Sequence, residues 1–277
     1  MGQSFDNEAV MAASSPWPFQ HPSTHETIST IIQRHSTNST DVREFVLRDQ
    51  DLSSAKEILD LGCGFGFMSE ALACRAAPDA RLVGVDAWGS NEAPFLKKVS
   101  STGRSASFEC IQVDSRLPWP DQSFDLVVCS YSLYFFMDVL PEVARVLAPR
   151  GLFLALAHSE NSFVGLLRAA GIAEDGSELL ALSRRFSAEN GSDVLNRWFG
   201  GVRRVDYDNA LRFQAPHLDE LLTYLRFKLP FLVPGSEPGD DLPPAMAHRA
   251  RSSLLGLGEV VVEKSDAAFW CRSPLCH

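Results

Sequence analysis

The sequence predicts an α/β protein built on a doubly wound, mostly parallel sheet. Three observations predict it. From Glu57 to Gly66, apolar residues lead into three alternate glycines, and a helical pattern begins directly behind them at Phe67, the order of a buried strand, a tight turn and a helix N-terminus. Five apolar strand-like runs then alternate with helical patterns as far as residue 158, which implies parallel strands joined by crossover helices. Asp60, Asp86, Asp114, Ser130 and His158 fall at the carboxyl ends of those runs, the edge at which such sheets bind ligands.

Composition narrows the class. With 277 residues, 45% of them hydrophobic, and a mean hydropathy of -0.05, the chain can bury a full core as one elaborated domain. Its formal charge is -10 and no Lys/Arg run exceeds two residues, so the electrostatic footprint of a nucleic-acid binder is missing and a small or cationic ligand fits better. No apolar run approaches the roughly 20 residues of a membrane span. The six cysteines form no close metal-ligand pairs, and Met1 to Glu8 lacks the basic and apolar regions of a signal peptide, so reduced thiols and a cytoplasmic location are expected.

In chain order, residues 1 to about 18 are small and polar with no burying period, which predicts a mobile tail. Ser23 to Glu26 has capping-box spacing, and Ile28, Ile31 and Ile32 carry a helix to His35. A second short helix is expected from Asp41 to Arg48. Residues 1–50 thus read as a flexible tail and a helical cap, which either lies across the opening of the domain or packs on the sheet edge. Strands are expected at Glu57 onward, Arg81 to Asp86, Phe108 to Val113 with Asp114 closing it, Phe124 to Cys129, and Leu152 to Ala157. Helices follow Gly66 and span about Pro94 to Val99 and Pro141 to Leu147. Beyond His158 the alternation is lost. Helical patterns cover Ser162 to Ala170, Ser177 to Arg184, Asp193 to Phe199 and His217 to Leu229, while Val202 to Phe213 and Val260 to Trp270 read as strands. Five prolines between 230 and 244 mark a loop that can cover a site. The core is therefore expected over 51–277, with a helical, Pro-rich insertion at about 214–257.

The chemistry sits in the central turn. Gly62, Gly64 and Gly66 permit positive φ and leave main-chain N–H groups open to a ligand. Asp60 beside them repels a pyrophosphate but attracts an ammonium or sulfonium. Gly-x-Gly-x-x-Gly is not matched, since position 67 is Phe, and the Gly-Lys-Ser/Thr of a P-loop is absent. Asp86, 20 residues beyond Gly66, can accept two ribose hydroxyls, and Asp114 an adenine amino group. Each alone also reads as a helix cap.

Asp60-Leu-Gly-Cys-Gly-Phe-Gly66, Val83-Gly-Val-Asp86, Val113-Asp114 with Leu117-Pro-Trp-Pro-Asp-Gln-Ser-Phe-Asp-Leu-Val127, and Val146-Leu-Ala-Pro-Arg-Gly-Leu152 together resemble the ordered motifs of class I S-adenosylmethionine-dependent methyltransferases, of the small-molecule, quinone-biosynthesis-like type. The resemblance spans about residues 57 to 158. It implies a Rossmann-like, seven-stranded sheet with one antiparallel strand, in which Val202 to Phe213 and Val260 to Trp270 pair. It also implies that Asp60, Gly62, Cys63, Gly64 and Gly66 hold the methionine end of S-adenosyl-L-methionine, and Asp86 the ribose. Asp114 with the Ser115 amide would take the adenine, and Ala87, Trp88 and Ser130 would complete the cofactor set. The Asn-Pro-Pro-Tyr type motif of amino-methylating nucleic-acid and protein enzymes is absent, Ser130-Tyr131-Ser132-Leu133 standing in its place.

Methyl transfer from a sulfonium is an in-line displacement, so positioning in a dry pocket is the main requirement. A base helps if the small organic acceptor carries a proton on its O, N or C nucleophile. His158 is the first candidate, although capping the next helix explains it as well. His25 and His21 follow in the N-terminal arm, and Tyr131 and Tyr134 as pocket walls. A terminal metal site at Cys271, Cys276 and His277 is not expected, because a second ligand pair is lacking. Two other readings compete: a non-catalytic S-adenosylmethionine-binding regulatory or assembly protein, and a nicotinamide-dependent oxidoreductase, which the glycine spacing and Asp60 disfavour.

Overall fold

The computed structural model describes residues 18–174, 177–233 and 235–275. The expected tail, Pro234, and the terminal Cys276 and His277 lie outside the described residues.

Seven strands form one sheet: β1 (Glu57–Leu61), β2 (Arg81–Asp86), β3 (Ser105–Cys110), β4 (Phe124–Ser130), β5 (Leu147–His158), β6 (Phe199–Tyr207) and, last in the chain, β9 (Asp266–Pro274). Their order is β3-β2-β1-β4-β5-β9-β6. The contacts among β1 to β5 are parallel, and β9 runs antiparallel to both β5 and β6. This is the Rossmann-like, mostly parallel sheet with a single antiparallel strand that the motifs imply. Both faces are covered, as parallel strands require. Leu59, Leu61, Val127 and Phe153 enter one apolar cluster, while Ile58, Leu126, Val128 and Leu154 enter the other. The period of two along each strand thus sorts side chains between two cores.

Helices α1 (Pro22–His35), α2 (Val42–Leu47), α3 (Phe67–Ala73), α4 (Glu92–Ser101) and α5 (Leu140–Val146) follow the expected places closely. Asp41 caps α2 by accepting from the Arg43 amide at 2.8 Å. The capping box expected at Ser23 is not used: α1 starts at Pro22, whose fixed φ suits the first helical position, and His21 precedes it without a side-chain cap. β3 also begins and ends earlier than the apolar run suggested. Its ladder with β2 ends at Asp86↔Cys110, so the chain leaves the sheet there and Asp114 does not close a strand.

After β5 come α6 (Val164–Ala170), α7 (Glu178–Ser183) and α8 (Gly191–Leu195). The expected strand from Val202 to Phe213 is two strands, because β6 stops at Tyr207 and β7 (Ala210–Gln214) belongs to a second, two-stranded sheet with β8 (Glu259–Glu263). The run Val260 to Trp270 breaks in the same way, between β8 and β9. The two breaks face each other and are bonded together: the Lys264 amide donates to the Asn209 carbonyl at 3.0 Å, and the Ser265 hydroxyl donates to it at 3.2 Å. The Asn209 side chain reaches the arm, accepting from the Asn38 amide at 3.1 Å. A polar joint therefore bends one long hairpin into two sheets.

Helix α9 (Leu218–Leu232) continues through Pro230, beyond its expected end. α10 (Pro244–Leu257) occupies sequence that predicted no helix. Its buried residues are only Met246, Ala250 and Leu254, a stripe at every fourth position too narrow to show as amphipathic periodicity. Ile28 and Ile31 of α1, Leu211 and Phe213 of β7, Tyr224 and Leu225 of α9, and Leu254 of α10 share a third apolar cluster. Arm and insertion are thereby packed into one layer beside the carboxyl ends of the strands.

Candidate active site

β1 delivers Asp60 and the glycine turn to the mouth of a cavity of about 1010 Å³. Gly62, Gly64 and Gly66 have φ of 73°, 51° and 86°, the left-handed region where a Cβ is penalised. The three do different work. A Cβ on Gly62 would lie 2.5 Å from the Ser132 Cβ, whereas one on Gly64 would meet nothing within 4 Å. Gly66 is the N-cap of α3, and a Cβ on it would lie 3.3 Å from the Phe95 Cα. Gly62→Ala should therefore lower stability by at least about 2 kcal/mol, while Gly64→Ala should cost about 1 kcal/mol and mainly obstruct the cavity. Thermal melts with and without ligand separate the two effects.

Asp60 is buried. One carboxylate oxygen accepts from the Ser69 hydroxyl, and Oδ1 is buried with no partner. Burial pushes its carboxyl up to about 7, against the Ser69 hydrogen bond and with help from the Asp86 charge. Asp86 Oδ2 accepts from the Gly64 amide at 2.9 Å, and Oδ1 accepts from the Trp88 amide at 2.9 Å and the Asn91 side-chain amide at 3.1 Å. A carboxylate offers about four acceptor positions, so Asp86 keeps one for a ligand hydroxyl.

A buried polar cluster also borders the cavity. His158 Nδ1 lies 2.7 Å from Asp266 Oδ1, and the Tyr131 hydroxyl donates to Asp266 Oδ2 at 2.7 Å. Lys264 Nζ reaches the same carboxylate at 3.1 Å. Lys264 Nζ is also 3.2 Å from His158 Nδ1, but Asp266 is nearer and can only accept, so the ring proton points to Asp266 and Nε2 carries the lone pair. Burial, then Lys264, pulls the His158 pKa down to about 4 despite Asp266. The imidazole is neutral at physiological pH and free to take a proton. Although burial opposes it, Lys264 and His158 hold the Asp266 carboxyl below its ordinary range. Tyr131 has φ of 58° and stacks on the His158 ring at 4.5 Å.

Residues 59–155 match the family model described as a methyltransferase domain. That stretch, which carries the glycine turn, Asp60 and Asp86, is similar to a methyltransferase domain. The chain is 31% identical over 127 residues to the demethylmenaquinone methyltransferase of Geobacillus kaustophilus (strain HTA426), covering 44% of this chain and 54% of that protein. The chain spans about half the length of the first curated relatives it matches. In fold it is similar to the [4+2]-cyclase SpnF, at a TM-score of 0.54 and 17% identity over 95% of this chain and 98% of that one. It is similar also to the Haemonchus contortus phosphoethanolamine N-methyltransferase 2 in complex with S-adenosyl-L-methionine, at 0.53 and 14% over 92% and 58%. A cyclase and a methyltransferase among its likenesses restrict the argument from fold to architecture.

Asp60, Gly62, Cys63 and Gly64 border the cavity, as do Asp86, Ala87, Trp88 and Ser130. Tyr131, His158 and His25 of the arm line it too. Four expected residues do not. His21 is exposed and precedes α1. Gly66 serves the turn from behind. Asp114 and Ser115 are exposed and outside the lining, and Asp114 accepts from the Arg116 amide at 2.8 Å; Ile111, Gln112 and Val113 border the cavity instead. That displacement follows from the early end of β3. The sequence reading missed Asp266, Lys264 and Lys228. A Lys264-Ser265-Asp266 interruption inside an apolar run was the available signal for the first two.

Proposed function

We propose that this chain catalyses methyl transfer from S-adenosyl-L-methionine to a small organic acceptor by direct displacement. The observation that carries the reading is the Asp60 Oδ1 atom, buried and without a partner where the glycine turn opens into the cavity. A buried unpaired acceptor of this kind is costly unless a ligand donor completes it, and the cofactor's ammonium is such a donor. The free acceptor position on Asp86 fits one ribose hydroxyl. Trp88 and Ile111 offer apolar faces for the adenine, in place of the Asp114 and Ser115 contacts expected from the motifs.

Bound S-adenosylmethionine supplies an electrophilic methyl group on a positively charged sulfur. The chain does the rest. Its aromatic walls exclude water, and His158 Nε2 takes the proton released by the acceptor, with Asp266 fixing the tautomer and orientation of the ring. Lys264 and Tyr131 hold Asp266 in place. None of the helices among the described residues is long and apolar enough to cross a membrane.

Titration calorimetry with S-adenosylhomocysteine should show one tight site per chain. Incubation with S-adenosylmethionine and a metabolite extract should yield a product heavier by one CH2. Absence of binding by the intact chain would remove the cofactor assignment, and binding without turnover on any acceptor would favour the regulatory reading.

A further inference from the structure

The wall of the cavity supplied by the arm and α9 carries donors with nothing to donate to. His25 Nδ1 and the Tyr224 hydroxyl are buried without hydrogen-bond partners, and both residues line the cavity. Lys228 lines it beside them. Its ammonium lies over three rings, 4.7 Å from the centre of Phe163, 5.3 Å from Phe227 and 5.9 Å from Phe231. Among the described residues it forms no ion pair with a carboxylate. The other cations at the cavity are neutralised: Lys264 by Asp266, and Arg43 by Asp41 at 2.9 Å and Glu70 at 3.4 Å. Glu237, also at the cavity, is exposed.

The interior beyond the cofactor end therefore holds one uncompensated positive charge and two further polar groups, surrounded by aromatic rings. Cation–π contact offsets only part of the burial of an ammonium. Burial, then Lys264, accordingly depresses the Lys228 pKa to about 7. The groups facing it are His25 from the arm, His158 from β5 and Lys264 from the joint, with Tyr224 on its own helix. None of these supplies a negative charge.

We propose that His25, Tyr224 and Lys228 bind a carboxylate of the acceptor, so that the acceptor is an aromatic or similarly flat apolar monoacid whose protic group reaches His158. One carboxylate satisfies the charge and accepts all three donors. A phosphate dianion would bring a second charge that no side chain here answers. The assignment rests on the methyl-transfer reading of the same cavity.

The test uses the full chain saturated with S-adenosylhomocysteine at pH 7. Probes are 4-hydroxyphenylacetate, 3-(4-hydroxyphenyl)propionate and 4-hydroxycinnamate, each with its neutral primary amide, and 4-hydroxyphenyl phosphate. Calorimetry should show at least one acid binding about 10-fold or more tighter than its amide, the scale of a hydrogen bond to a charged group. Lys228→Met should erase that preference and Lys228→Arg should keep it, while both variants bind S-adenosylhomocysteine like the unchanged chain, which also reports that they are folded. Acids no better than their amides, no binding of any probe, a preference that survives Lys228→Met, or tighter binding of the phosphate overturns the proposal. Because S-adenosylhomocysteine binding is read in the same cell, its loss would instead count against the cofactor assignment.

Discussion

Asp60→Asn is expected to weaken S-adenosylhomocysteine binding at pH 7.5 by about 100-fold, the upper range for a hydrogen bond to a charged group, while making the ligand-free protein more stable. Both effects come from one carboxylate. Its folded pKa is raised from 3.8 to about 7, so its contribution to stability is fully present below about pH 4 and is lost as pH rises through 7. Asn keeps the shape and the Ser69 hydrogen bond without the buried charge. The gain above pH 7 is on the order of 4 kcal/mol, which thermal melts across pH 5 to 8 would show as a widening gap between the variant and the unchanged chain. Ligand binding runs the other way. The ammonium needs the ionised carboxylate, so affinity should fall toward tenfold per pH unit below about 7, and that slope should vanish in the variant. Retention of tight binding with an unchanged pH slope would contradict the placement of the ammonium on Asp60.

His158→Gln should lower kcat between 10²- and 10⁴-fold for a protic acceptor, the usual range for a lost general base, with S-adenosylhomocysteine affinity unchanged. Asp266→Asn should lower kcat as well, and also lower thermal stability, because Lys264 is left buried without its counter-charge. The pH dependence separates the two ends of the cavity. With the His158 pKa near 4, kcat should stay level from about pH 8 down to 5, while kcat/KM for S-adenosylmethionine falls below 7 with Asp60. A kcat that declines around pH 6.5 would show an ordinary, solvated histidine and remove His158 from the role.

How much was legible varies along the chain. The glycine turn, Asp60, Asp86 and the end of β4 were readable because each lies within a few residues of a strand whose burial writes an unbroken apolar run. Asp114 was misplaced because Phe108, Ile111 and Val113 carry the strand-like pattern past Cys110, yet the end of β3 is set by β2, which stops at Asp86. α10 was missed because its buried stripe is one residue wide. His158 stood out as a polar strand end, but its partner Asp266 is 108 residues away and the Tyr131 contact to that carboxylate spans 135. Local patterns do not record such pairings.

By itself, then, the sequence determined the sheet, its ligand-binding edge and the class of cofactor, since these follow from short-range periodicity and from glycines placed where only glycine fits. The tertiary structure decided which side chains line the rest of the cavity. The β5–β9 ladder sets Asp266 opposite His158, and the third apolar cluster packs α9 against the arm, so that His25, Tyr224 and Lys228 face the same cavity. Those contacts depend on chain segments more than 100 residues apart, which a strand ladder joins on one side and a third apolar core on the other.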